Sequence, residues 1–118
     1  MNVQSQKLCI KINELLVIVH ARCGDIRLLD LSAKIRLVKN NHDQGAVNMI
    51  ATMIAKFGQV NVEPIKAQCI DRLDCSLIRD IDIITAIRDN YSKFNVLEQK
   101  DIWVRVNEII ILAIEVLL

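Results

Sequence analysis

Two histidines and four cysteines are the side chains of this sequence best suited to bind a metal or to act as nucleophiles. His20 and Cys23 are three residues apart, so they would share a face of a helix, and Cys69 and Cys75 would complete a four-ligand set. No Cys-x-x-Cys pair is present, and the six-residue separation of Cys69 and Cys75 is not a usual zinc spacing. We therefore expect no metal and no other cofactor, with the cysteines serving as small core residues.

Catalysis is also disfavoured by the pattern of residues. Cys23 with His20 or His42 would form a thiol–imidazole pair, but such a pair needs an oxyanion hole, and three glycines leave few loops to build one. Residues 71–89 alternate aspartates with arginines, which is typical of a solvated helix face with weak surface ion pairs. No Gly-rich phosphate loop is present. We expect a protein that is not an enzyme.

One segment, residues 46–75, has the order of elements needed for a DNA-binding helix-turn-helix. Its second helix would present Lys66, Gln68 and Arg72 to the major groove. The connection after Gly58 is longer than usual, and two aspartates of the same segment would repel phosphate. The sequence carries 15 basic and 14 acidic residues, without the basic excess of most nucleic-acid-binding proteins. DNA binding is therefore the alternative, not the favoured function.

The composition favours helices over sheets. The 118 residues are 53% hydrophobic but only 3% aromatic, and they include three glycines and one proline, too few for the many turns of a β-sandwich or barrel. We predict an all-α fold, a compact bundle of about five or six helices in one domain over residues 1–118. No signal peptide and no membrane-spanning run is visible, so we expect a cytoplasmic protein with reduced thiols.

Periodicity and capping residues place the helices. The expected ranges are 5–22, 26–39, 44–57 and 96–118, with 64–94 forming one long helix or two that break near residues 74–76. Gly24 should end the first helix, Asp25 should cap the second, and Gly58 should end the third. Asn95 and Glu98 match a capping box at the start of the last helix.

Three of these helices carry two aliphatic rows each, although one row is enough to face a bundle core. Since monomers rarely expose large apolar patches, we predict that the second rows contact a protein, either another copy or a larger subunit. A six-helix globule that buries both rows is the alternative. The predicted contact residues are Ile10, Val17, Leu28, Leu31, Ile35, Val38, Trp103 and Ile110. On this hypothesis Leu31→Glu or Ile35→Glu changes assembly while the helices remain intact. The predicted function is a small accessory or scaffolding subunit.

Overall fold

The computed structural model describes residues 1–81 and 83–118, apart from the side chains of residues 79–81. Six α-helices follow one another in the described residues: α1 Val3–Cys23, α2 Ile26–Asn40, α3 Gln44–Val60, α4 Val62–Lys66, α5 Ile83–Asn90 and α6 Val96–Leu117. The same residues include no strand. The predicted all-α bundle of five or six helices is therefore confirmed.

The helix ends fall where glycine and short polar side chains satisfy unpaired backbone groups. Gly24 ends α1 with a left-handed φ of 69°, and its N–H donates to the carbonyl of His20. Asp25 caps α2, while Asn95 and Glu98 form the predicted capping box at the start of α6. These ends are confirmed as predicted because each depends on the chemistry of adjacent residues.

The core lies between α1, α3 and α6. Helix α1 packs against both α2 and α6, and α3 also packs along α6. Each long helix turns one aliphatic row inward, and on α1 the inward row consists of Leu8, Ile12, Leu15, Leu16 and Val19. On α6 the inward residues are Ile102, Trp103, Val106, Ile109 and Ala113. One row from each helix is therefore enough to fill the core.

Residues 64–94 do not form one long helix, and the chain is interrupted at residues 73–75, in agreement with the alternative of a break near residues 74–76. Helix α4 ends at Lys66, Gln68 has a left-handed φ of 52°, and two 3-10 segments, Ile70–Arg72 and Ser76–Ile81, precede α5. The chain bends repeatedly along a path that buries seven aliphatic residues, while Leu77 remains 37% exposed. Those buried residues are Ile65, Ile70, Leu73, Ile78, Ile83, Ile84 and Ile87. The side chains of Arg79, Asp80 and Asp82, part of the predicted charged face, lie outside the described residues.

Asn61 fastens this irregular segment to the end of α3. Its buried side-chain amide donates to the carbonyls of Phe57 and Asp74, both at 2.9 Å, and its oxygen accepts from the Asp74 N–H at 2.7 Å. The guanidinium of Arg88 donates to the Leu73 carbonyl at 2.6 Å. These side chains replace the backbone hydrogen bonds that a continuous helix would have supplied.

Gly58 lies inside α3 and does not end it, so the predicted stop at this residue is wrong. A Cβ atom built on Gly58 would lie 2.7 Å from the Cγ2 atom of Ile110 on α6. Carbon atoms in favourable contact stay about 3.5–4.0 Å apart, so a larger residue would force the Ile110 side chain or one of the two helices to shift. The glycine is therefore required by the close approach of α3 and α6.

Asp25 joins the corner between α1 and α2 to α5. Its carboxylate accepts hydrogen bonds from the backbone and guanidinium N–H groups of Arg27 and from the side-chain amide of Asn90. The same guanidinium reaches Asp89 at 2.8 Å. These hydrogen bonds, chiefly those from the Arg27 side chain, hold the pKa of Asp25 well below its usual range.

We predict that the stabilising effect of the Asp25 charge is lost in acid. A pKa that is lower in the folded state makes this effect complete above the ordinary aspartate pKa of about 4, and it declines as the pH falls toward the folded-state value. Asn still caps a helix, so Asp25→Asn removes mainly the charge and should lower the free energy of unfolding by about 1–2 kcal/mol near neutral pH. Urea unfolding should show this difference shrinking below about pH 4. A difference that does not vary with pH would contradict the role of the charge.

Candidate functional site

Aliphatic side chains remain exposed on the outer sides of α1 and α6 after the core is complete. On α1 they lie seven residues apart and are 41–66% exposed: Val3, Ile10 and Val17. On α6 they have the same spacing and are 56–97% exposed: Leu97, Val104, Ile111 and Leu118. A seven-residue spacing keeps side chains on one side of a helix, with only about 20° of drift per repeat. These two rows, together termed the α1–α6 face, therefore form two parallel stripes.

Three ion pairs cross from α1 to α6 and fix the relative position of the two rows. They join Lys11 to Glu108 at 3.9 Å, Glu14 to Arg105 at 3.6 Å and Arg22 to Glu98 at 3.5 Å. Residue numbers rise along α1 as they fall along α6, so the helices are antiparallel. Ile10 is consequently level with Ile111, and Val17 with Val104, to within about one helical turn.

An open groove of about 660 Å³ follows the outer side of α1 between α2 and α6. Ile10 and Val17 line it, together with Arg36 and Lys39 from α2 and Arg105 from α6. Arg105 pairs with carboxylates of its own chain, whereas Arg36 and Lys39 form no ion pair within the described part of the chain. The groove thus has an aliphatic floor, and its α2 wall carries two available positive charges.

A second apolar depression, the α2–α3 groove, lies between α2 and α3 and has a volume of about 220 Å³. It is lined by Leu31, Lys34, Ile35, Val38, Ala46, Met49, Ile50 and Met53. Met49 is 68% exposed, which makes it the most accessible aliphatic side chain of this groove. Its rim carries a single charged residue, Lys34.

Four of the eight predicted contact residues lie in the core of this chain, so their side chains are largely covered before any partner binds. Leu28, Leu31, Ile35 and Trp103 are at most 7% exposed. Trp103 is enclosed by its own chain, with its indole N–H donating to the Tyr91 hydroxyl at 2.9 Å. The physical reason is the orientation of α2, whose row through Leu28 faces inward.

The other four predicted residues are accessible to different degrees. Ile10 and Val17 are exposed on the α1–α6 face, and their contact with a partner stays a prediction. Val38 and Ile110 are half-buried and pack against the core. Only the α1 part of the predicted contact set is therefore available to a second protein in full.

No protein-family model matches the chain, and no curated protein or solved structure matches it closely enough to establish a relationship. The function therefore has to be argued from the exposed surfaces themselves.

The predicted contact residues do not include the outward residues of α2 or the seven-residue row of α6. On α2 the exposed residues are Ile26, Leu29 and Leu37, which belong to the row that was not chosen. On α6 the row through Val104 and Ile111 was hidden because neighbouring positions 109 and 110 are also isoleucine. Its strict spacing over four positions is the signal that identifies it.

The helix-turn-helix expected over residues 46–75 does not form. Lys66 ends α4, which has only five residues, Gln68 lies in a turn, and Arg72 belongs to a separate 3-10 segment. All three side chains are exposed, but no single helix presents them together. The geometry on which the DNA-binding alternative depended is therefore wrong.

The candidate ligands and nucleophiles do not assemble into a cluster. Within residues 1–78 and 83–118, no three side chains of the His, Cys, Asp and Glu types come together as a metal-binding group. Burial raises the pKa of the Cys9 thiol, an effect that Lys39 partly opposes. In the same described portion, no helix combines the length and apolar character needed to cross a bilayer.

Proposed function

We propose that this protein is a non-enzymatic protein–protein interaction module, a small accessory or scaffolding subunit that binds its partner through the α1–α6 face. The observation that carries this proposal is the pair of exposed aliphatic rows with matching seven-residue spacing. The side chains of these two rows point away from the core, which the inward rows already fill. Rows of this spacing are typical of helices that pack lengthwise on another helix.

The size of the face supports a lasting contact. Burying a large aliphatic side chain completely contributes about 1.5–3 kcal/mol, and seven such side chains, already partly covered, would contribute on the order of 10 kcal/mol. Association costs about 4–15 kcal/mol in lost freedom of motion. A partner must therefore cover most of both rows, which favours an extended helical contact over an isolated side chain in a pocket.

The charges of this surface support a protein partner over nucleic acid. The ion pairs between α1 and α6 alternate in sign, so phosphate would meet Glu108 beside Lys11 and Glu14 beside Arg105. Charges of both signs within an aliphatic surface orient one protein on another. The proposed setting is the cytoplasm, which is compatible with the free thiols of Cys9, Cys23 and Cys69.

We predict that the native particle containing this chain is larger than the 13.4 kDa of one copy and depends on the α1–α6 face. The tagged chain, expressed in its source organism, would be fractionated by size in unpurified extract. Val17→Glu and Ile111→Lys should each move it to the mass of the single chain, because a charge would replace an aliphatic contact. Circular dichroism should stay unchanged, since both positions are exposed.

Met49→Lys is the matched control, because it adds a charge to an exposed aliphatic position in the α2–α3 groove. It should leave the native mass at the wild-type value. A wild-type chain that migrates as a single copy in extract would refute the proposed function. Loss of the complex with Met49→Lys alone would assign the contact to the α2–α3 groove.

A further inference from the structure

We infer that the partner on the α1–α6 face is a second copy of this chain, related by a two-fold axis parallel to α1 and α6. This inference rests on the proposed function and names its partner. In the resulting dimer α1 of each copy lies on α6 of the other, so four antiparallel helices form the interface.

The register of the two rows favours a second copy as the partner. Because Lys11 is level with Glu108 within one chain, a two-fold axis parallel to the helices keeps these levels between the copies. Ile10 then lies opposite Ile111 of the second copy, and Val17 lies opposite Val104. Val3 and Leu118 form the next level in the same way, since both rows advance by seven residues, about 10 Å per step. A partner with any other spacing would lose contact after one level.

The charges on α1 and α6 also favour a second copy. Each ion pair between α1 and α6 joins opposite charges at one level, and the two-fold operation exchanges the two helices. Lys11 therefore faces Glu108 of the second copy, and Glu14 faces Arg105. At every level that carries an ion pair within one chain, the dimer therefore brings together four side chains of alternating charge, two from each copy. Since all three pairs have this property, including Arg22 with Glu98, the paired charges of α1 and α6 are complementary to those of a second copy. Arg36 and Lys39 on the α2 wall are positive charges that these pairs do not balance.

The shape of the α1–α6 face also favours a second copy. The groove above α1 lies between α2 and α6, and the exposed row of α6 provides a ridge of aliphatic side chains. A two-fold axis places one ridge in each of the two grooves, so both stripes are covered in both copies. The assembly closes at two chains and leaves neither row available for further growth.

The decisive measurement is the mass of the purified chain by sedimentation equilibrium over a range of concentrations. We expect twice the single-chain mass of 13.4 kDa. Each dimer carries a substitution twice, so Val17→Glu and Ile111→Lys should each raise the dissociation constant by about a hundredfold or more. The combination Val17→Glu/Val104→Lys should recover much of the affinity, because each new carboxylate then faces an ammonium group. Met49→Lys should dimerise like wild type.

Disulfide cross-linking tests the register independently of affinity. Val17→Cys/Val104→Cys should give a covalent dimer under mild oxidation, whereas Val17→Cys/Ile111→Cys displaces the thiols by about 10 Å along the helices and should not. A monomer at all concentrations, or equal cross-linking of both pairs, would overturn the inference. If the purified chain is monomeric while Val17→Glu still releases it from a larger complex in extract, the second copy is wrong but the interaction function stands.

Discussion

Ile35→Glu is expected to unfold the chain, whereas Leu37→Glu, two positions further along α2, is expected to leave it folded. Ile35 is 2% exposed and packs in the core, where a carboxylate would lose most of its hydration. The cost should be several kcal/mol, a large part of the total stability of a small domain. Leu37 is 62% exposed, so its replacement should change the free energy of unfolding by about 0.5 kcal/mol or less.

Far-ultraviolet circular dichroism and urea unfolding of the two variants would measure this contrast. It reverses the expectation from sequence alone, in which Ile35→Glu altered assembly without loss of helix. Retention of full helicity and stability by Ile35→Glu would mean that α2 turns its other row inward. In that case Leu37→Glu should be the variant that unfolds.

Gly58→Ala is expected to destabilise the protein, although alanine normally stabilises a helix relative to glycine by about 1 kcal/mol. The added methyl group would lie 2.7 Å from the Cγ2 atom of Ile110, and the resulting overpacking should cost about 1–3 kcal/mol. Gly45→Ala is the control in the same helix, because its Cβ atom would meet only the Asp43 carboxylate at 3.6 Å. That variant should be neutral or slightly stabilised.

A double-mutant cycle with Ile110→Leu identifies the cause of the loss. Leucine lacks the Cγ2 methyl group on Cβ, so Gly58→Ala should cost distinctly less in the Ile110→Leu background than in wild type. The free energy of unfolding in urea gives each corner of the cycle. Equal costs in both backgrounds would show that Gly58 is needed for a reason other than its contact with α6.

Local signals were sufficient for the helix ends that depend on neighbouring residues. Gly24 with Asp25, and Asn95 with Glu98, were assigned correctly because a left-handed cap and a capping box need only the residues beside them. Gly58 was predicted to end α3, but glycine is needed at this position because α3 and α6 approach closely there. It makes room for a residue more than fifty positions away, and no local pattern carries that information.

Long-range contacts determine the inward row of α2 and the breaks after α4, which local sequence patterns do not specify. On α2 both rows are similarly aliphatic, so only packing on α1 selects the row through Leu28 as the inward one. The breaks after α4 depend on Asn61 and Arg88, whose hydrogen bonds to distant carbonyls favour an irregular path. The candidate site was found in part for the same reason. Ile10 lies on a helix with a distinct inward face, whereas the row of α6 stands among other isoleucines.

The antiparallel pairing of α1 with α6 has a consequence for biosynthesis. Helix α1 packs on α6 as well as on α2, and α6 follows both in the chain, so the inward row of α1 stays incompletely covered until α6 has been synthesised. Nascent chains therefore expose part of the inward aliphatic row of α1 before α6 emerges. Complete packing of the bundle should require α6, and ribosomes stalled before residue 96 would hold polypeptides with exposed aliphatic surface that chaperones and proteases recognise.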